Sequence, residues 1–227
     1  MSKFENKDAQ IMVRSILIFT LFISSFCLYS QNSNKENTIL FSLLAEYSLD
    51  LLEPVTNCAV EAFTINGEEI VYVFGGIDST LKHTGIHRRC YKINVTQGVI
   101  TRIQDIPDSL GKIAMAATRI GDKIFVAGGY HVFANGREKS SALIHEFDPI
   151  GDTFTSKEIV IPVPVDDHIQ FGHSHKSIYG NLNLLYLVGG WSDNRNVRDV
   201  QIYDPKNDSW GVGTPLPDDR FEFFGAT

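Results

Sequence analysis

Cysteine is scarce in this chain: three among 227 residues, of which only Cys58 and Cys90 lie beyond the first 30. So small a supply excludes a disulfide-stapled miniature scaffold and the repeated cysteine pairs of a zinc module. No run of about 20 apolar residues is present, so the sequence holds no ordinary membrane-spanning helix. Basic charge is thin as well, with 20 Lys and Arg against 27 Asp and Glu and a net charge of −7. Without its first 30 residues the chain has 17 bases and 25 acids. An acidic surface without a basic stripe excludes nucleic acid as a partner.

The N-terminus differs from the rest. Ser15 to Tyr29 is uncharged, apolar and preceded by Arg14. Its length suits the apolar core of a signal peptide, with cleavage expected near Ser30 and a secreted or periplasmic product. No membrane span is expected after leader removal. Cys27 follows the bulky Phe26, which argues against a lipid-anchored cysteine.

What is abundant is repetition. Ile70-Val71-Tyr72-Val73-Phe74-Gly75-Gly76 returns as Lys123-Ile124-Phe125-Val126-Ala127-Gly128-Gly129 and as Leu184-Leu185-Tyr186-Leu187-Val188-Gly189-Gly190. The glycine pairs are 53 and then 61 residues apart, and a period near 50 points to propeller blades. Asn66-Gly67, Gly121-Asp122 and Gly180-Asn181 precede the apolar runs as tight-turn signals. First hairpin arms are therefore expected at Cys58 to Ile65, Ala114 to Ile120 and His173 to Tyr179. Third strands should end near Ile93, Phe147 and Tyr203, the last two followed by Asp-Pro. Seven residues beyond each stands a further large side chain: Ile100, Phe154 and Trp210. Pro-rich connectors then lead to the next unit.

With glycine pairs, Tyr203 and Trp210 at these spacings, the chain resembles the kelch-repeat family over roughly Pro54 to Thr227. The resemblance maps the family's glycine pair onto Gly75, Gly76, Gly128, Gly129, Gly189 and Gly190, its tyrosine onto Tyr203 and its tryptophan onto Trp210. Blade one departs with Ile93 and Ile100, and blade two carries Phe147 and Phe154. The expected fold is all-β, a kelch-type β-propeller of three complete four-stranded blades plus the start of a fourth, forming an incomplete ring. The expected divisions are a leader over 1–30, a polar segment with a possible ring-closing strand over 31–53, and blades at about 54–107, 108–164, 165–217 and, in part, 218–227. Phe224-Gly225 repeats Phe171-Gly172, so the sequence reads as part of a longer protein. Kelch propellers usually close with six or seven blades. Cys58 and Cys90 fall on strands one and three of one blade. Strands two apart lie about 9–10 Å from each other, so two buried thiols are expected.

Candidate chemistry is sparse. His173 and His175 alternate on one strand face but lack an evident third metal ligand. Asp166-Asp167 and Asp218-Asp219 recur after connectors, which favours turn chemistry over a catalytic pair. The glycine pairs lack the Lys and the helix start of a phosphate cradle. Asn94-Val95-Thr96 and Asn207-Asp208-Ser209 match glycosylation acceptors, relevant only in a glycosylating host. No metal or other cofactor is expected. The loops after the second strands remain, and the resemblance implies that they gather at one mouth of the propeller and bind partners. Tyr130, His131, Arg137, Trp191, Asp193 and Arg195 are the candidate binding residues there, since aromatics and Arg are frequent anchors.

The first expectation is an exported, non-catalytic binding module for a protein or glycan. The second is a carbohydrate-active enzyme, since sialic-acid mutarotases and copper-radical sugar oxidases share the propeller fold. A mutarotase needs an acid–base pair at the mouth. An oxidase needs Tyr, Cys and His on copper, and Cys58 and Cys90 sit on strands. A third expectation is a displayed or adhesive spacer.

Overall fold

In a computed structural model the described residues are 49–177 and 180–217. The leader, most of the polar segment and the expected start of a fourth blade lie outside them. The described chain is built of strands, with one short 3-10 turn at His83–Gly85.

Three antiparallel sheets follow one another. Blade one is Ala59–Ile65, Glu68–Asp78, Ile86–Asn94 and Val99–Ile103. Blade two is Ile113–Ile120, Lys123–Val132, Leu143–Asp148 and Thr153–Phe154. Blade three is Ile169–Ser177, Gly180–Val188, Val200–Asp204 and Ser209–Val212. Within each, strands pair in chain order, and the first strands of successive blades pack on each other. The first strand is therefore the inner one, as in a propeller.

The register explains the repeat. Residues alternate between the two faces of a strand, so each second strand serves two seams. Tyr72 and Phe74 of blade one pack with Ile124, Val126 and Phe147 of blade two. Phe125 and Ala127 of blade two pack with Leu185, Leu187 and Tyr203 of blade three. The large residues spaced by seven are directly opposed cross-strand pairs: Ile93 with Ile100, Phe147 with Phe154, and Tyr203 with Trp210. Ring centres in the two aromatic pairs are 5.0 Å apart. The outward face of blade one is covered by Leu49, Leu51 and Val55, which pack on Val71, Val73, Tyr91 and Ile93.

Each glycine pair has positive φ, 60° and 104° at Gly75 and Gly76, 65° and 79° at Gly128 and Gly129, and 65° and 93° at Gly189 and Gly190; in blades one and two the second strand continues past it. Space is a second reason for glycine. A Cβ on Gly129 would lie 2.6 Å from the Ile113 carbonyl oxygen, and one on Gly190 2.4 Å from that of Asp166.

One turn moves. Ser177 pairs with Gly180 and Lys176 with Asn181, so the two-residue connection is 178–179 and Gly180-Asn181 belongs to the second arm. The first arm accordingly begins at Ile169, four residues before His173. The pairing of the two arms, not the turn dipeptide, sets the connection. Cys90 lies on the third strand and is buried, whereas Cys58 directly precedes the first strand; both thiols are free. Phe74 pairs with Ala59 on one side and Cys90 on the other, so a full strand separates the cysteines.

Candidate functional site

The glycine-pair ends of the second strands share one end of the fold, the mouth. Two hairpins project there. The second strand of blade two runs on through Tyr130 and His131 and pairs with Glu138–Ser140. Arg137 stands at its exposed tip, its guanidinium 4.8 Å from the Phe133 ring centre. In blade three, Trp191–Ser192 pairs with Arg195–Asn196, and Asp193 turns the corner with φ 50°.

These hairpins are joined across the seam. The Ser140 N–H donates to Asp193 Oδ1 at 2.9 Å, and Ser140 Oγ accepts the Asp193 N–H at 2.8 Å. The Ser140 hydroxyl in turn donates to Asp166 Oδ2. Asp166 also exchanges two backbone hydrogen bonds with Trp191, at 2.8 and 2.9 Å. Trp191 is thus held beside Asp166 with its ring half-buried.

Of the six predicted binding residues, the structure groups Tyr130, Trp191 and Asp193 around Ser140 and Asp166. His131 joins a different cluster: its Nδ1 lies 2.9 Å from the Gly111 carbonyl oxygen and its Nε2 4.0 Å from Asp108. Arg137 and Arg195 stay exposed on the two hairpins. Asp166 corrects the turn reading of Asp166-Asp167, because it is 3% exposed and holds a seam. The burial comes from the packing of two blades, which a local turn signal does not reveal. Asp218 and Asp219 lie outside the described residues. His173 and His175 share an exposed face with ring centres 6.2 Å apart. Among the described residues no group of three or more His, Cys, Asp or Glu is arranged to hold a metal ion.

Two aspartates that follow connectors are set in opposite ways. Asp108 lies 3.2 Å from Lys112 Nζ and 3.5 Å from His145 Nε2. Burial disfavours its charge, but His145 and Lys112 outweigh that and hold the carboxyl well below the usual range. Lys112 itself is 1% exposed and also contacts Ser141 Oγ at 3.2 Å. At Asp166 burial instead pushes the carboxyl up to about 6, with Asp167, Glu138 and Asp193 adding to the rise against the Ser140 hydrogen bond. Burial, Glu138, Asp167 and Asp166 likewise raise Tyr130. The mouth edge between blades two and three is thus a negative, aromatic surface. Ser140 carries no sequence signal. For Asp108 and Asp166 the signal is their shared place just after a proline of the connector.

Repeated four-stranded sheets with inner first strands define this molecule as part of a β-propeller. The Kelch motif matches residues 182–217, within blade three. Kelch-like protein 36 of Bos taurus is 31% identical over 104 residues, which are 46% of this chain and 15% of that protein. The solved structure of YjhT aligns with a TM-score of 0.54 at 15% identity, over 77% of this chain and 56% of that one. The chain therefore spans a small part of the curated relative and about half of the structural one. The kelch motif within blade three and the blade architecture together support a kelch-repeat family.

Proposed function

We propose that this propeller is a binding module, exported from the cytoplasm, whose contact surface is the mouth edge of blades two and three. The observation that carries this reading is Trp191. Two backbone hydrogen bonds to Asp166 fix the main chain of this half-buried aromatic on the hairpin that carries Asp193. An aromatic fixed before binding loses little freedom on contact, which favours affinity. Flanking Arg137 and Arg195 are exposed and supply charged reach. A protein loop or a glycan meets such a surface with an apolar face and a polar edge.

The apolar run from Ser15 to Tyr29 supports export. Among the described residues no helix is long and apolar enough to cross a membrane. N-terminal sequencing of the protein from cell fractions checks this part, with a start near Gln31 expected. Binding is tested with the chain on an immobilised glycan panel and on a display library of random peptides. Ligands from either are expected to lose at least tenfold in affinity to Trp191→Ala. Ligands held equally well by Trp191→Ala and Tyr130→Ala place the contact elsewhere and overturn the reading.

A second reading, a sugar mutarotase, is favoured by one feature, the raised carboxyl of Asp166 at the mouth. A group titrating near neutrality suits acid–base catalysis. Acceleration of the anomer exchange of N-acetylneuraminate, followed by NMR and lost in Asp166→Asn, is its expected sign. An unchanged exchange rate removes it.

A further inference from the structure

The hairpin over Tyr130 to Ser140 is tied to blade three chiefly through Ser140. Its backbone and hydroxyl together make three hydrogen bonds across the seam, two with Asp193 and one with Asp166. The last of these ends on a buried carboxyl, that of Asp166. The charges that act most strongly on it are Asp167 on its own segment, Glu138 on the blade-two hairpin and Asp193 on the blade-three hairpin. His168, two residues along, is buried and turned to Gln170, with Nε2 3.1 Å from Gln170 Oε1. Asp108, the other connector aspartate, has Lys112 and His145 against it. The two sites differ in one respect: Asp108 has the Lys112 amine and the His145 ring against it, whereas Asp166 is acted on by the carboxylates of Asp167, Glu138 and Asp193.

We infer that Ser140, Asp166 and Asp193 form a proton-operated latch between the mouth hairpins of blades two and three. With a proton on Asp166 its buried carboxyl no longer repels Glu138 and Asp193 on the two hairpins, and the hairpin stays docked. Without it, a buried negative charge faces Glu138, Asp167 and Asp193, and the hairpin is loosened. The expected transition lies near pH 6. The backbone bridge from Asp166 to Trp191 carries the change to the aromatic of the mouth. The device works whatever the mouth binds.

The protein supplies its own reporter, because Trp191 and Trp210 are its two tryptophans. Phe fills the place of Trp210 in blade two, as Phe154, so Trp210→Phe is compatible with the repeat. In that background Trp191 emission is expected to titrate with a midpoint near pH 6. Amide exchange over 130–140 should rise severalfold from pH 5 to pH 7.5 after correction for the intrinsic pH dependence. Asp166→Asn keeps the shape and an acceptor for Ser140, and is expected to flatten both curves. Ser140→Ala should leave a titration but shift its midpoint, since Asp166 loses its hydrogen bond. A wild-type protein flat in both measurements overturns the latch. So does an Asp166→Asn protein that titrates like the parent, which would assign the transition to a group other than Asp166.

Discussion

The ring of Tyr72 in blade one stands edge-on to Phe147 in blade two, with ring centres 5.1 Å apart, and its hydroxyl lies 2.9 Å from the Pro149 carbonyl oxygen. The same hydroxyl is 3.0 Å from Asp152, which also receives Lys92 at 2.8 Å. Blade two repeats the arrangement without the hydroxyl, with Phe125 edge-on to Tyr203 at 6.3 Å. An aromatic three residues before the glycine pair, meeting an aromatic of the next third strand, is thus the unit that joins blades. Tyr72→Phe is expected to cost about 1 kcal/mol by losing one hydrogen bond. Phe147→Ala should cost about 3–5 kcal/mol through the cavity it leaves. Urea unfolding checks both, and a double-mutant cycle should find a coupling of about 1 kcal/mol between the rings.

Glycine is required for different reasons at different places. Gly121 has positive φ in an open turn, with nothing within 4 Å of a built Cβ. Gly129 has positive φ, and its Cβ would also meet Met115 Cγ at 2.4 Å. Gly121→Ala is therefore expected to cost about 1 kcal/mol from backbone strain alone. Gly129→Ala should cost at least twice as much, because the first strand must shift. Equal melting temperatures for the two variants would contradict the close approach of strand and connector.

The Asp108–Lys112 pair is buried, with side chains 5% and 1% exposed. Asp108→Asn removes the carboxylate that favours the charged form of the buried Lys112, so a loss of about 3–5 kcal/mol is expected. Lys112→Met, which removes the charge that needs a partner, should cost less when combined with Asp108→Asn than Asp108→Asn does alone. Asp108 is depressed, so its contribution is present above the usual carboxylate pKa and is lost as pH falls through its own. Acid unfolding of Asp108→Asn should accordingly show a shallower pH dependence below pH 4, measured by circular dichroism.

His168 and Asp166 pull the stability curve in opposite directions. Burial lowers His168 to about 4, so the native state refuses a proton that the unfolded chain accepts. Its contribution is lost as pH falls from about 6.5 toward 4. Asp166 is raised to about 6, so its contribution is lost as pH rises from about 4 to 6. The two slopes offset each other over that window. Asp166→Asn is expected to leave stability falling with acid, and His168→Asn to leave it falling with base. Denaturant midpoints at pH 4.5, 5.5 and 6.5 distinguish them.

Burial pushes the thiols of Cys58 and Cys90 up to about 11 and about 12. Only the thiolate reacts. In a Cys27→Ser chain, an aromatic disulfide reagent at pH 8 should modify neither thiol within minutes. Both should react at once in guanidinium chloride. Immediate reaction of the folded protein would show that these strands open.

Blade number within the described chain, strand order and the seam positions were legible in the sequence, because they follow from local rules. A glycine pair with positive φ, a period of two along a strand and a residue opposed at plus seven all act over a few neighbours. That is why Tyr203 and Trp210 could be placed as partners before any contact was known. Register in blade three was misread for a related reason. Gly180-Asn181 is a good turn dipeptide, but Gly180 pairs with Ser177 and Asn181 with Lys176, so both belong to the second arm. At the mouth, Tyr130, Trp191 and Asp193 gather around Ser140 and Asp166, while His131 lies near Asp108, a grouping that spacing along the chain does not encode. What the tertiary structure alone decided is the electrostatic character of each connector aspartate. Asp108 and Asp166 occupy similar places in the repeat, yet one meets Lys112 and His145 and the other meets carboxylates. Coulomb forces in a buried seam depend on which side chains of two blades converge within a few ångströms, and no spacing along one strand encodes that.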